Sequence, residues 1–279
     1  MHCIPIYQVD AFADAVFGGN PAAVCPLDDW LPDGTLQAIA AENNLSETAF
    51  LIPGRDPVPL RWFTPRLEVK LCGHATLASA FVLFEFLEPG RAAVTFGTLS
   101  GRLGVTRQGD RLSMDFPAIG SERLEPDDVP TALIGGLGAE PEEVRFTDDD
   151  WNYIAVFADE EIVRELRPDF RLIEQVHPHG VAATGPGRPR SGEGPANDAP
   201  AIDFVTRYFV PSYGIPEDPV TGSIHCALAP YWAERLGRPR LAARQVSERG
   251  GRLELEVTGD RVQLAGAAVT YMTGEIIVP

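Results

Sequence analysis

Three ionisable residues stand next to small residues in a way that suits acid–base chemistry. Glu47 begins an apolar segment, His74 directly follows Gly73, and Asp218 lies shortly before Gly222. A carboxylate at the entrance to a buried strand is desolvated, and desolvation raises its pKa toward the range that is useful for a general base. Glu47 is therefore a candidate acid–base residue, and an ordinary acid at a strand edge is the alternative.

His74 and Asp218 are candidates for holding a substrate. His74 stands at the start of a predicted helix, where an imidazole is held near neutral and can be reached from a cleft; a histidine satisfied within the helix start explains the same pattern. Pro211 and Gly222 are 11 positions apart, whereas Pro65 and Gly73 are 8 apart. The extra length of the second segment would push Asp218 into the cleft.

Gly73 and Gly222 each open a run of small and apolar residues that predicts a buried helix. The first N–H groups of a helix are unpaired and lie at the positive end of its dipole. If both helices begin at a domain interface, they form one site for a substrate carboxylate. Alternatively, Asp218, Thr221 or Ser223 only caps the second helix. The simplest explanation of each glycine is that it permits a tight turn before the helix.

These candidates occur within a pattern that the chain contains twice. The sequence R-x-F-x-P occurs at Arg61–Pro65 and again at Arg207–Pro211. A second pair of markers, Gly101-Arg102-Leu103 and Gly251-Arg252-Leu253, recurs at an offset of 150 residues. A repeat of this length predicts two similar domains, and the cleft between such domains is a common place for a ligand.

Both halves are rich in predicted strands, and each contains one outer and one central helix. Short β-rich segments bounded by Gly, Pro or Asp alternate with helical patterns at residues 33–42, 74–86, 160–167 and 223–235. We expect Asp33 to cap the first helix and Pro230 to kink the last one. The fold class is thus α+β, with two pseudo-symmetric domains, each a curled, mostly antiparallel sheet wrapped around a central helix.

The predicted domain boundaries follow the repeat. The first domain covers residues 1–118, the second covers 130–264, and residues 119–129 form a linker. The β-rich tail at 266–279 is predicted to return to the sheet of the first domain. Residues 185–200, which are rich in Gly and Pro, are predicted to form a surface loop.

Composition and charge exclude several classes of protein. The formal net charge is −17, so a polyanion such as nucleic acid is repelled at most surfaces. No segment is long and apolar enough to predict a membrane span, and we expect a soluble cytoplasmic protein. The cysteines, Cys3, Cys25, Cys72 and Cys226, lack the spacing of a disulfide framework or a structural zinc site.

Several long motifs together identify a family. They are Val9–Phe12, Phe17–Val24, Asn43–Phe50, Arg61–Pro65, Cys72–Thr76, Glu217–Ser223 and Gln245–Gly251. In type and order they resemble the motifs of the phenazine biosynthesis PhzF-like proteins, which have the diaminopimelate epimerase-like fold. The resemblance covers nearly the whole chain.

The resemblance implies a function and a set of site residues. It implies an isomerase that moves a proton within a small carboxylate, such as trans-2,3-dihydro-3-hydroxyanthranilate, without a metal or another cofactor. Glu47 would be the acid and base, and His74 and Asp218 would complete the catalytic group. The predicted substrate-binding residues are Ser46, Gly73, Gly222 and Ser223. The resemblance also implies a homodimer.

Two other functions fit parts of the sequence. A racemase or epimerase of the same fold uses one cysteine at each helix start, and Cys72 has the required position before Gly73. The matching place before Gly222 holds Thr221, which disfavours a pair of thiols. A binding protein that keeps the fold without turnover is the second alternative.

Overall fold

The chain divides into two units in the computed structural model, which describes residues 2–149, 151–176, 178–188 and 201–278. The first unit contains Met1–Phe116 and Gln263–Pro279, and the second contains Pro117–Val262. Among the described residues, every helix is too short or too polar to span a membrane.

The first part of the chain contains eight strands and two helices. They are β1 His2–Ala11, β2 Asn20–Pro26, α1 Asp33–Asn43, β3 Glu47–Leu51, β4 Val58–Phe63, β5 Glu68–Val69, α2 Gly73–Val82, β6 Ala93–Thr98, β7 Gly101–Gln108 and β8 Arg111–Pro117. A π-helical turn, Leu83–Leu87, extends α2.

Most of the remaining elements repeat this arrangement. They are β9 Ser121–Arg123, α3 Thr131–Leu137, β10 Glu143–Thr147, β11 Asn152–Val156, α4 Glu160–Glu165, α5 Phe170–Ile173, β12 Gly180–Pro186, β13 Phe204–Val210, β14 Ile215–Asp218, α6 Gly222–Leu236, β15 Arg240–Gln245, β16 Gly251–Thr258, β17 Arg261–Gly266 and β18 Ala268–Val278. Short 3₁₀ turns lie at Pro126–Asp128, Glu174–Val176 and Pro211–Tyr213.

The order of strand pairing is the same in both units. In the first, β2 is parallel to β3, β3 is antiparallel to β4, and β4 is antiparallel to β5 and parallel to β6. In the second, β11 is parallel to β12, β12 is antiparallel to β13, and β13 is antiparallel to β14 and parallel to β15. The predicted duplication and the mostly antiparallel sheets are therefore confirmed.

The C-terminal strand completes the first sheet. β18 runs antiparallel to β1, with Ala268 opposite Ala11 and Val278 opposite His2. Buried apolar residues on one face of this sheet, including Ile4 and Phe50, pack with Leu36 of α1. The C-terminal tail is therefore part of the sheet that contains β1.

A buried helix lies against each sheet. All residues of α2 except Phe81 are buried, and the helix contacts β1, β2, β3 and β18. In the second unit, α6 contacts β15 and β16 and continues through Pro230 to Leu236. Small residues such as Ala78 and Ala229, both fully buried, allow the strands to approach these helices closely.

Some local predictions need correction. Asp33 does not cap α1, because it is the first helical residue and Pro32 holds the N-cap position; the Asp33 carboxylate accepts a hydrogen bond from Arg61. Within the predicted loop at 185–200, Gly185 and Pro186 belong to β12, and residues 189–200 lie outside the described residues. The predicted linker contains β9, which pairs with β10.

The arginine of the repeated R-x-F-x-P motif has the same structural role in both units. Arg207 donates two hydrogen bonds of 2.8 Å to Glu217 on the neighbouring strand, and its guanidinium lies 5.1 Å from the centre of the Phe209 ring. Arg61 contacts Glu68 and Phe63 in the same manner, with hydrogen bonds of 2.7 Å and a ring distance of 5.1 Å. In each unit this ion pair links the strand of the motif, β4 or β13, to the short strand that precedes the buried helix, β5 or β14.

We expect Arg207→Met to destabilise the protein by about 3 kcal/mol, because it leaves Glu217 mostly buried without its counter-ion. The free energy of unfolding in urea measures this loss. In the double variant Arg207→Met/Glu217→Leu, no charge is left behind, and most of the loss should be recovered. A loss below about 1 kcal/mol in the single variant would show that the pair is dispensable.

Candidate active site

Glu47 is placed by the parallel pairing of β2 and β3. It is the first residue of β3 and lies opposite Ala22, so its side chain shares a sheet face with Asn20, two residues earlier in β2. The same face of the sheet is covered by α2. The Glu47 side chain is 14% exposed, and it is therefore largely shielded from water.

His74 is placed by the start of α2. Cys72 is extended, Gly73 is the first helical residue, and the His74 ring is buried against the sheet. Its Nε2 atom lies 3.0 Å from Glu47 Oε2, at ion-pair distance but without the alignment of a hydrogen bond. Its Nδ1 atom lies 3.2 Å from the Asn20 amide and 3.5 Å from Cys72 Sγ.

The predicted neutral, accessible state of His74 is wrong. Burial alone lowers the pKa of the imidazole, but the Cys72 thiol group and the Glu47 carboxylate together raise the pKa of His74 well above 6.5. Burial raises the pKa of Cys72 to about 11, so the thiol is neutral near pH 7 and the carboxylate is the charge that matters there. A protonated ring donates from both nitrogens, and in that state Asn20 presents its amide oxygen to Nδ1.

Asp218 is held by a hydrogen-bond network within the second unit. The Thr221 hydroxyl donates to the Asp218 carboxylate, and Gln245 Nε2 donates to the Asp218 carbonyl at 2.6 Å. Gln245 Oε1 also accepts from the Thr221 N–H at 2.9 Å. Thr221 therefore uses its hydroxyl to orient Asp218 and does not cap α6 with it.

Neither buried helix has a side-chain cap at its start. Cys72 and Thr221 occupy the N-cap positions of α2 and α6, and neither side chain accepts a hydrogen bond from its helix. Gly73 and Gly222 are buried, whereas Ser223, which corresponds to His74 in the repeat, is exposed. Ser46 is half-buried and directly precedes β3.

His225 is a buried neutral histidine that supports the start of α6. Burial lowers the pKa of His225 to about 4. Its Nδ1 lies 2.7 Å from the Thr221 carbonyl, and a carbonyl only accepts, so Nδ1 carries the proton. The equivalent residue of α2, Thr76, donates to the Cys72 carbonyl at 2.5 Å.

The chemical groups are not duplicated as the strands are. Glu47 lies opposite Ala22, whereas the matching place opposite Ile154 holds Ala182. The contacting pair Glu47 and His74 thus lies in the first unit, whereas Asp218, Gly222 and Ser223 lie in the second. Sequence reasoning did not single out Asn20 and Gln245 as parts of these networks, although both lie within the motifs that identified the family.

Trp62 is a further residue that the sequence did not single out. Trp62 is part of β4 and lies opposite Ala49 of β3. Its side chain is therefore on the same sheet face as Glu47, and the residue is 1% exposed. Within the part of the chain that the structure describes, its indole N–H has no hydrogen-bond acceptor. The corresponding residue of the repeat, Tyr208, donates its hydroxyl to Asn152 at 2.6 Å.

The chain matches a family model and is similar to several known proteins over nearly its whole length. The family model described as phenazine biosynthesis-like protein matches residues 9–274. An uncharacterized isomerase of Pseudomonas aeruginosa is 51% identical over 98% of both chains. An uncharacterized isomerase of Halalkalibacterium halodurans is 43% identical over 100% of both chains.

Solved structures of other proteins are also similar to this chain. A phenazine biosynthesis protein of the PhzF family from Enterococcus faecalis has a TM-score of 0.89 and 41% identity, over 99% of this chain and 100% of that one. A hydroxyproline epimerase from Agrobacterium vitis has a TM-score of 0.56 and 13% identity, over 98% of this chain and 92% of that one. The second likeness concerns the fold alone, and the predicted fold class is confirmed.

We expect Glu47→Gln to lower the pKa of His74, because the variant removes the nearest negative charge. A histidine whose folded-state pKa is raised stabilises the protein below its unfolded value near 6.5, and that stability is lost as the pH rises through the folded pKa. Titration of the imidazole resonances by NMR measures the shift. His225 is an internal control, since it should stay neutral down to about pH 4 in both proteins. An unchanged His74 pKa would contradict the ion pair.

Proposed function

Since this chain belongs to the phenazine biosynthesis-like family and is an isomerase-type enzyme, we propose that it is a cofactor-independent isomerase that moves a proton within a small carboxylate. The observation that carries this proposal is the contact of 3.0 Å between the shielded carboxylate of Glu47 and His74 at the start of α2. A desolvated carboxylate next to a helix start suits proton transfer at carbon.

The proposed reaction is a two-step transfer. The Glu47 carboxylate removes a proton from a carbon next to a carbonyl or unsaturated group, and the electron pair of the C–H bond moves into the substrate. The same carboxyl group then returns the proton to another carbon of that molecule. His74 holds the Glu47 carboxylate in place, so the base is positioned before the substrate arrives.

We propose that the substrate carboxylate binds at the start of a buried helix. The first N–H groups of α2, at Gly73, and of α6, at Gly222, suit this role, since helix starts without a side-chain cap attract anions. Ser46 in the first unit, and Ser223 and Asp218 in the second, are the further candidates for substrate contacts. Loss of substrate affinity in Asp218→Asn without change in the fold would support this arrangement, and unaltered kinetics would contradict it.

Trp62 adds a hydrogen-bond donor to the same sheet face. A buried N–H without a protein partner costs free energy that a ligand oxygen can recover. We propose that this N–H contacts an oxygen of the substrate. Trp62→Phe retains most of the packing, so it should raise KM about tenfold, as expected for one lost hydrogen bond. An unchanged KM would show that Trp62 only fills space.

The substrate class is proposed from the family. A cyclic carboxylate like trans-2,3-dihydro-3-hydroxyanthranilate has a removable proton and a second carbon that can accept it. A homodimer is likewise proposed, and sedimentation equilibrium at the mass of one chain would contradict it. Incorporation of solvent deuterium into such a carboxylate separates an enzyme from a binding protein that has lost turnover.

The two-thiol alternative has little support in the structure. Cys72 lies at the start of α2, but Cys226 lies within the first turns of α6, with Sγ 3.9 Å from the Gly222 carbonyl. Burial raises the pKa of Cys226 to about 12, which makes it a poor nucleophile or base. The four cysteines, Cys3, Cys25, Cys72 and Cys226, are free thiols in the structure.

We predict that Glu47→Gln binds substrate almost normally but loses about 10²- to 10⁴-fold in rate, the usual contribution of a general acid or base. The substitution keeps the shape of the side chain and removes its titratable proton. Single-turnover isomerisation, with deuterium exchange followed by NMR, measures the loss. Glu42→Gln is the matched control, because Glu42 is exposed on α1 and should retain the wild-type rate. Wild-type rates in Glu47→Gln would place the base elsewhere.

We also predict that Cys72→Ser and Cys226→Ser each retain substantial turnover, because no thiol stands at the start of α6. Steady-state rates on a carboxylate that the wild type converts provide the measurement. Circular dichroism confirms that each variant is folded. A loss of several orders of magnitude in a folded variant would revive the two-thiol mechanism.

A further inference from the structure

Glu47, Cys72 and His74 bring three different metal-ligand types to one place. One potential ligand atom from each residue lies within 4.8 Å of the other two. The three side chains are almost completely enclosed, with Cys72 at 7% and His74 at 5% exposure. The proton transfer proposed above uses the carboxylate and the imidazole, but it gives no role to the thiol.

We propose that these three residues bind a thiophilic divalent metal ion, Zn²⁺ in particular, and that this binding blocks the isomerase. The inhibitory part rests on the proposed function, whereas the binding part does not. A set of one sulfur, one nitrogen and one oxygen ligand suits zinc and is unsuited to Mg²⁺ or Ca²⁺, which prefer oxygen alone.

The three ligand atoms lie within 4.8 Å of one another, so a tetrahedral zinc ion requires them to move closer together. Zinc takes sulfur at about 2.3 Å and nitrogen or oxygen at about 2.0–2.2 Å, so the ligands of a tetrahedral site lie about 3.3–3.7 Å apart. The Glu47–His74 and Cys72–His74 contacts are 3.0 and 3.5 Å. Since these contacts use opposite nitrogens of the ring, binding requires His74 to turn or the thiol to swing toward Nε2.

Metal binding at this site releases protons and involves no oxidation or reduction. The Cys72 thiol and the protonated His74 ring each release one proton to solvent as the sulfur–metal and nitrogen–metal bonds form, and no electrons are transferred. Three protein ligands leave a fourth position for water, as in zinc sites with an open position. An ion in this place binds the Glu47 carboxylate, which can then no longer act as the base, and it also binds the His74 nitrogen that positions this carboxylate.

Cadmium is a direct probe, because its bond to a thiolate gives an ultraviolet charge-transfer band. We expect the chelator-treated wild type to bind Cd²⁺ in a 1:1 ratio with this band, and Zn²⁺ to displace it. Cys72→Ser should lose the band, and Glu47→Gln should bind at least about tenfold more weakly. Cys226→Ser is the matched control, since Cys226 is equally buried near the start of α6, and it should keep the band.

Inhibition is measured as the ratio of rates with and without Zn²⁺ for each variant. The ratio should fall for the wild type and for Cys226→Ser, and it should stay near one for Cys72→Ser. A band that survives in Cys72→Ser, or equal inhibition of all variants, would overturn the proposed site. If no carboxylate is converted by the wild type, the proposed function fails, but the cadmium band still decides whether the metal site exists.

Discussion

The helix Gly73–Val82 is enclosed by strands of its sheet, and this burial constrains both its sequence and its chemistry. Alanines at positions 75, 78 and 80 are fully buried and allow close packing. The hydroxyls of Thr76 and Ser79 donate hydrogen bonds to backbone carbonyls one turn earlier in the helix. Both buried hydroxyls therefore have a hydrogen-bond partner within the helix. Polar groups for a ligand can then come only from its first turn, where the N–H groups have no partner within the helix.

The ion pair of Glu47 and His74 follows from this constraint. A charge placed alone against a buried helix costs several kcal/mol, whereas a pair of opposite charges recovers much of that cost. The carboxylate at the start of β3 and the imidazole at the start of α2 therefore depend on each other. Together they place a charged, proton-binding group in apolar surroundings, which is the setting that acid–base chemistry at carbon needs.

The two units share the residues that stabilise the fold, but they differ in the side chains around the helix starts. Each unit uses the arginine of its R-x-F-x-P motif to join two strands, and each begins its buried helix without a side-chain cap. The side chains around the helix starts differ, because Ala182 and Thr221 replace Glu47 and Cys72. The residues that stabilise the fold are thus shared, while the Glu47–His74 pair belongs to the first unit.

The sequence alone determined the elements whose signal is local. Apolar periodicity and the spacing of Gly and Pro predicted the two buried helices, most strands and the duplication, and the ordered motifs predicted the family. It did not predict α3, β10 or β15, because short segments of mixed polarity have no distinctive period.

The protonation of His74, by contrast, was decided by tertiary structure. Its position at a helix start suggested a neutral ring, but a carboxylate 27 positions earlier in the chain lies 3.0 Å from it in the fold. The partners of Asp218, and the lack of an acceptor for the Trp62 N–H among the described residues, were decided in the same way, since they depend on which strands become neighbours. A sequence records the types of its charged and polar groups, but their pKa values and hydrogen bonds depend on distances that exist only after the sheets have formed.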